Sequence, residues 1–311
     1  MLLRFIPAET NIPFMGMRRI SYPVSIILAI VSLGLFFSLG LNTGIDFRGG
    51  TLIEIRTTDG PADIGGIRST VGTLNLGDVQ IQEFGEDTDV LIRIERQPGG
   101  EEAQQAVVSQ VQAVLGTEVE YRRVEVVGPR VSGELTRAGA IAVVTAILAV
   151  LFYIWIRFEW QFAVGAIIAL VHDVILTIGL FAITRLEFNL ASIAAILTIV
   201  GYSLNDTVVV YDRIREKLRK YKKMPLSELL DLAVNKTLSR TIMTSVTTLL
   251  ALGSLAIFGG EVIRSFIFAM MWGVLIGTYS SIFIAAPVLM MFGLKRSSAP
   301  VKAEGAPAPG E

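Results

Sequence analysis

The chain has 311 residues, 52% of them hydrophobic and 18% charged, with a formal net charge of −1. That balance describes an integral membrane protein and excludes a global electrostatic pull toward nucleic acid. There is no cysteine and a single histidine, so disulfides, thiol catalysis, iron–sulfur clusters, zinc–thiolate sites and His-rich metal cages are all excluded.

Measured against the roughly 20 residues that cross hydrocarbon, the uncharged stretches give six spans. The first covers 20–41 and follows an N-terminus, 1–19, that holds Arg4, Arg18 and Arg19. It exceeds the roughly 7–15 apolar residues of a secretory signal and reads as an uncleaved anchor. A hydrophilic segment, 44–129, comes next. It begins with "GIDFRGGTLIEI" (Gly44–Ile55), where Asp46 and the Gly49–Gly50 pair predict a tight, hinge-like turn of structural role.

Within this segment Thr51–Thr57 reads as a strand and Pro61–Leu74 as a helix opened by proline. Asp78–Phe84 and Thr88–Glu95 read as two strands of a hairpin about Gly85. Glu101–Leu115 is a helix with acids in its first turn and Gly116 behind its end, and Glu118–Gly128 closes as a strand. The βαββαβ order is that of a small ferredoxin-like α+β domain.

The second span is 138–156, between Arg137 and Arg157, and the third, 160–184, carries His172 and Asp173 near its middle. The fourth, 188–211, is interrupted by Asp206. A basic loop, 212–240, follows. Pro225 opens an amphipathic stretch there with Leu226, Leu229, Leu230, Ala233 and Val234, which reads as an interfacial helix. The fifth span is 241–258, behind Arg240, and the sixth is 265–294. The tail, 295–311, is rich in proline, alanine and glycine and reads as disordered. The expected fold is thus an α-helical integral membrane protein of six transmembrane helices plus a small α+β domain. Lysine and arginine cluster at the N-terminus, at Arg157, at Arg213–Lys223 and at Lys295–Arg296. Both termini are therefore expected in the cytoplasm and the domain 44–129 in the periplasm.

Asp206 lies six residues before Asp212, about 9 Å inside the boundary at about 1.5 Å per residue. Thr198, Tyr202 and Asn205 lie on or near its face and form a polar stripe. An acid at that depth points to a functional site. The other reading is that Asp206 marks the membrane edge. Arg240 opens the fifth span at a similar depth, in a half-helix rich in hydroxyls: Thr241, Thr244, Ser245, Thr247 and Thr248. Antiparallel neighbours joining Asp206 to Arg240 gain about 4 kcal/mol at about 4 Å and an effective dielectric near 20. Burial and a nearby cation act on such a carboxyl in opposite directions, leaving it poised to load and release a proton. The competing reading of Arg240 is an arginine snorkelling to headgroups.

His172 and Asp173 are adjacent, so about 100° of helical rotation separates them and they are not expected to pair with each other. They read either as a hydrogen-bond node with Thr177 or as part of a proton relay. "GPRVSGEL" (Gly128–Leu135) lacks the lysine and hydroxyl of a phosphate-binding loop, and no Ser-His-Asp set is available. No catalytic residue, cofactor or metal site is read from the chain, and the proton gradient is the expected energy source.

Five stretches together, "GIDFRGG", "VGPRVSGEL", "HDV", "GYSLNDTVVVYDRIRE" and "TLSRTIMTSVTTLLAL", resemble the SecF branch of the SecD/SecF family of protein-translocase subunits. The resemblance runs over 18–293. It implies a pseudo-symmetric assembly of the resistance–nodulation–division type in the bacterial inner membrane, formed with SecD. It also implies the SecY channel, the SecA motor, a YajC-type accessory subunit and preprotein substrates as partners. The family's proton-pathway acid falls on Asp206 and its functional arginine on Arg240. Two readings stay open beside a proton-driven subunit: half of a small-molecule or lipid exporter, and a scaffold that uses no energy.

Overall fold

The computed structural model describes residues 10–292 and residue 294. The expected disordered tail 295–311 and the first nine residues of the expected N-terminus lie outside the described residues. Among the described residues, six helices are long and apolar enough to cross a membrane.

The first, α1, spans Phe14–Leu39 and so begins before the expected position 20. Its start is fixed from outside, because Asp231 Oδ1 accepts a hydrogen bond from Met15 N at 2.8 Å. Asn235 clasps the preceding Ile12, accepting from its N–H and donating to its carbonyl, both at 2.9 Å. A single-turn helix α2, Ile45–Arg48, follows, with Gly49 (φ 73°) and Gly50 (φ 128°) behind it. A Cβ on Gly50 would lie 2.5 Å from the Ile94 carbonyl oxygen, so a side chain is excluded by space as well as by φ.

The α+β domain runs β1 (Gly50–Thr57), α3 (Ile64–Gly72), β2 (Val79–Phe84), β3 (Glu86–Ile94), α4 (Gly100–Leu115) and β4 (Val119–Val127). The expected elements are present in the expected order. Pro61, however, lies outside α3, whose N-cap is Asp63, accepting from Gly66 N at 3.0 Å. An aspartate offers the free N–H groups an acceptor that proline cannot, and so sets the helix start. The four strands lie in the order β2-β3-β1-β4 with every neighbouring pair antiparallel. Ile53, Ile55, Ile81, Val90, Ile92 and Ile94 pack against Val71, Val107 and Val111 of the two helices on one sheet face. Leu52 and Leu91 on the other face meet Ile45 of α2. The hairpin turns at Gly85, φ 88°.

Helix α5, Pro129–Arg157, begins nine residues ahead of the expected 138. Pro129 sits at its first turn, where a missing N–H costs nothing. Helix α6 is Trp160–Thr184, as expected. Helix α7, Leu190–Lys220, runs on through the basic segment instead of ending at 211. It is launched by a capping box between Asn189 and Ser192.

Helix α8, Leu226–Phe258, is one continuous rod, which corrects the separate interfacial helix expected in 212–240. Leu229, Leu230, Ala233 and Val234 do form an apolar face, but it is fully buried in protein against Phe14, Met15, Ile214 and Leu218. Packing against α1 and α7 supplies what the interface was expected to supply. Helix α9, Arg264–Ser280, continues into a π-helical turn, Ser281–Ala285, and a short α10, Ala286–Val288.

The α+β domain is seated on one end of the bundle. Thr43 bridges to Phe188, Gly44 N donates to the Phe188 carbonyl at 2.9 Å and Phe188 N donates to the Asn42 carbonyl at 2.8 Å. Arg93 of β3 pairs with Glu187 at 2.6 Å. Asp46 Oδ2 accepts from Leu190 N, the first helical residue of α7, at 2.9 Å.

Candidate functional site

Asp206 belongs to the inward face of α7, with Ile199, Ser203 and Val210 at helical spacing. It is only 8% exposed. Its Oδ1 accepts from Thr241 Oγ1 of α8 at 2.6 Å, and its Oδ2 accepts from Ser281 Oγ on the π turn. The expected contact with Arg240 is not formed: among the described residues no ion pair joins them, and Arg240 is exposed. Arg240 and Thr241 differ by about 100° around α8, so only one can face α7. The short hydroxyl takes the inner place and the guanidinium stays outside, near enough for its charge to act on Asp206.

Asp173 lies on α6 and is 1% exposed. Contrary to expectation, it contacts its neighbour: His172 Nδ1 is 3.0 Å from Asp173 Oδ1. Divergence of the two Cα–Cβ bonds does not separate a ring and a carboxylate that each turn back along the helix surface. Asp173 Oδ2 accepts from Ser203 Oγ of α7 at 2.6 Å and from Ser280 Oγ of α9 at 2.7 Å. Thr177 donates at 2.8 Å to the Asp173 main-chain carbonyl and not to its carboxylate. The hydrogen-bond node therefore exists, with serines in the place expected for Thr177.

Ser280 and Ser281 are the residues that sequence reasoning missed. They sit where α9 gives way to the π turn, and one holds Asp173 while the other holds Asp206. The signal was present in "TYSSIFIAAP" (Thr278–Pro287) as adjacent hydroxyls in an apolar run, followed by a proline. Pro287 has no N–H for the carbonyl of Phe283 and its ring crowds that carbonyl, and the wider turn accommodates this. The freed Phe283 oxygen accepts from Ser21 Oγ of α1 at 3.3 Å, and the Ala285 oxygen from Tyr211 Oη at 3.1 Å.

The other expected site residues are not brought to Asp206. Asn205 is exposed, about 100° around α7 from Asp206, and Thr244 donates to the Thr241 carbonyl of its own helix at 2.8 Å. Tyr202 reaches Ser245 at 3.3 Å, and Ser245 contacts Thr278 at 2.6 Å, so the stripe is a helix-to-helix contact. Asp46, Gly49 and Gly50 lie at the domain junction. Among the described residues no three His, Cys, Asp or Glu side chains converge as a metal site would require. The arrangement is two buried acids, each held by hydroxyls from neighbouring helices. Such a carboxyl can exchange a proton without breaking an ion pair, because a hydroxyl both donates and accepts and has other acceptors within reach.

Two family descriptions match: protein export membrane protein SecD/SecF, C-terminal, over residues 107–295, and the SecD/SecF GG motif over 34–60. The protein translocase subunit SecF of Rickettsia rickettsii is 47% identical, over 93% of this chain and 94% of that one. The chain belongs to the SecD/SecF family. SecF of Rhodobacter capsulatus is 47% identical over 95% of this chain and 93% of its own length. A fused SecDF of Brucella abortus matches at 43% identity over 94% of this chain but 39% of that protein. Among solved structures, SecDF from Thermus, described as a translocon-associated membrane protein, superposes with a TM-score of 0.82 at 33% identity. That match covers 93% of this chain and 39% of the SecDF chain, so the family unit seen here is about two fifths of the fused molecule. Membership in the SecD/SecF family and six apolar helices make this a bacterial membrane protein of protein export.

Proposed function

We propose that this chain acts as the SecF-type half of a SecD–SecF assembly that uses the proton gradient to drive or complete preprotein translocation at the SecY channel. A YajC-type subunit is the expected accessory. In this reading the termini lie in the cytoplasm and the α+β domain in the periplasm. The observation that carries the reading is Asp206: a carboxyl buried in an apolar bundle, held by two hydroxyls, with a cation nearby that does not bind it. An acid held by a fixed salt bridge has little reason to change its proton occupancy, whereas one held by hydroxyls is free to do so. A proton taken up from the periplasmic side and released to the cytoplasm changes what Thr241 and Ser281 can donate to, and so alters how α7 packs on α8 and the π turn. Work is coupled only if the two packings differ in proton affinity.

The fused SecDF relatives support SecD as the partner, since one chain there carries both parts. The seating of the α+β domain on the loop that starts α7 supports a path from Asp206 to the periplasm. The test is Asp206→Asn in inverted vesicles holding the assembled translocase. Gradient-dependent translocation should fall to the level seen without a gradient. Translocation that keeps its full response to the gradient would remove Asp206 from the mechanism.

A further inference from the structure

His172 and Asp173 lie deeper in protein than Asp206, and the mechanism above makes no use of them. The Nδ1 contact with the Asp173 carboxylate sets the proton of a neutral ring on Nδ1 and leaves a lone pair on Nε2. His172 is 7% exposed, and its Nε2 is buried with no hydrogen-bond partner among the described residues. An orphaned acceptor of this kind is costly in an apolar interior. The groups that face the pair are Ser203 of α7, Ser280 of α9 and the Tyr279 ring, 6.1 Å from the imidazole. Tyr279 is itself engaged by Ser25 of α1 at 2.9 Å. None of these groups is cationic.

We propose that the His172–Asp173 pair is a second proton-binding site, coupled to Asp206 through the adjacent serines Ser280 and Ser281. The inference rests on the reading of Asp206 as a proton carrier. One proton from a hydronium ion adds to the Nε2 lone pair and releases water. The ring becomes an imidazolium and the pair goes from a charge of −1 to a neutral ion pair.

Coupling follows from the alternative acceptors of the serines. Ser281 Oγ can donate to Asp206 or to the Thr278 carbonyl at 3.0 Å, and Ser280 Oγ to Asp173 or to the Gly277 carbonyl at 3.2 Å. A proton on Asp206, or on the imidazole that pairs with Asp173, weakens that carboxylate as an acceptor and lets its serine turn to the backbone. The two hydroxyls share one peptide unit at the mouth of the π turn, so the second acid feels the change. Ser203 and Asp206 give α7 the same double grip, one turn apart.

The single histidine makes the test direct. The full chain, carrying nitrogen-15-labelled histidine and no polyhistidine tag, is placed in phospholipid vesicles, and its ring nitrogen signals are followed from alkaline to acidic buffer. The ring should pass from the Nδ1-protonated neutral form to the imidazolium. Asp206→Asn should move that midpoint by on the order of one pH unit. Ser280→Ala should abolish the displacement, and Ser280→Thr should restore it. A ring that holds one protonation state throughout, or a midpoint indifferent to Asp206→Asn, overturns the proposal. Asp173→Asn keeps the shape of the site and should leave a ring whose titration ignores Asp206; unchanged coupling in that variant overturns it as well. A silent histidine together with lost translocation in Asp206→Asn removes this proposal alone, whereas intact translocation removes the reading of Asp206.

Discussion

Arg93 Nη2 lies 2.6 Å from Glu187 Oε2, and this ion pair joins the α+β sheet to the five-residue loop from which α7 starts. Both side chains are largely withdrawn from water, at 13% and 25% exposure. Burial pushes the Glu187 carboxyl above its ordinary range and Arg93 only partly offsets that. The same loop supplies Phe188, bridged to Thr43, and Asp46 reaches past it to the first turn of α7. Any tilt of the sheet therefore reaches α7 directly.

Because the seated domain raises the Glu187 pKa, the seated state holds more protons than the released one. Seating is then strongest below the ordinary glutamate range and weakens as pH rises through the elevated value. Glu187→Gln should keep the domain seated and remove this pH dependence. Arg93→Ala should leave the carboxyl buried without its partner and loosen the junction. Spin-label distances between β3 and the 185–190 loop, recorded against pH, check both.

Arg240 is exposed and Thr241 is not, so the two neighbours should separate stability from function. Thr241→Ala strands an Asp206 oxygen and should cost about 1–3 kcal/mol of stability. Arg240→Gln removes no packing and should change melting by less than about 0.5 kcal/mol. It should still depress gradient-driven translocation, since its charge acts on Asp206. Thermal melting in detergent beside vesicle translocation reads both quantities.

Gly50→Ala should destabilise the α+β domain by about 1–3 kcal/mol, through the positive φ and the Ile94 carbonyl together. Gly49→Ala should cost less, because its nearest obstacle, the Val127 carbonyl oxygen, is 3.2 Å away. Limited proteolysis of the 44–129 region ranks the two.

Pro287→Ala should let the π turn close into regular helix, giving the Phe283 carbonyl an N–H partner. The melting temperature should hold or rise, while translocation slows because Ser281 is drawn from Asp206. A variant that melts at lower temperature and translocates normally would contradict this account of the turn.

The six spans, the βαββαβ order and the two buried acids were legible in the sequence because each is a local pattern: run length, alternation, a charge within an apolar stretch. Helix ends were less so. Asp231 fixes the start of α1, and packing of α8 against α1 and α7 keeps it one continuous helix; both depend on residues far away in the chain. For Asp206 the sequence pointed to the right helix pair and the wrong residue, since the strongest charge near that depth is Arg240 while the contact belongs to its neighbour. Ser280 and Ser281 went unread because a hydroxyl in a membrane helix usually satisfies its own backbone, and only the widened turn before Pro287 directs them elsewhere.

Helices α7 and α8 are uninterrupted rods of 31 and 33 residues, about 46 and 50 Å long. Stiff members of that length cannot absorb a displacement by bending. A tilt of about 5° pivoting at one end sweeps the other through about 4 Å, so a rearrangement no larger than a turned hydroxyl beside Asp206 has leverage on the α+β domain.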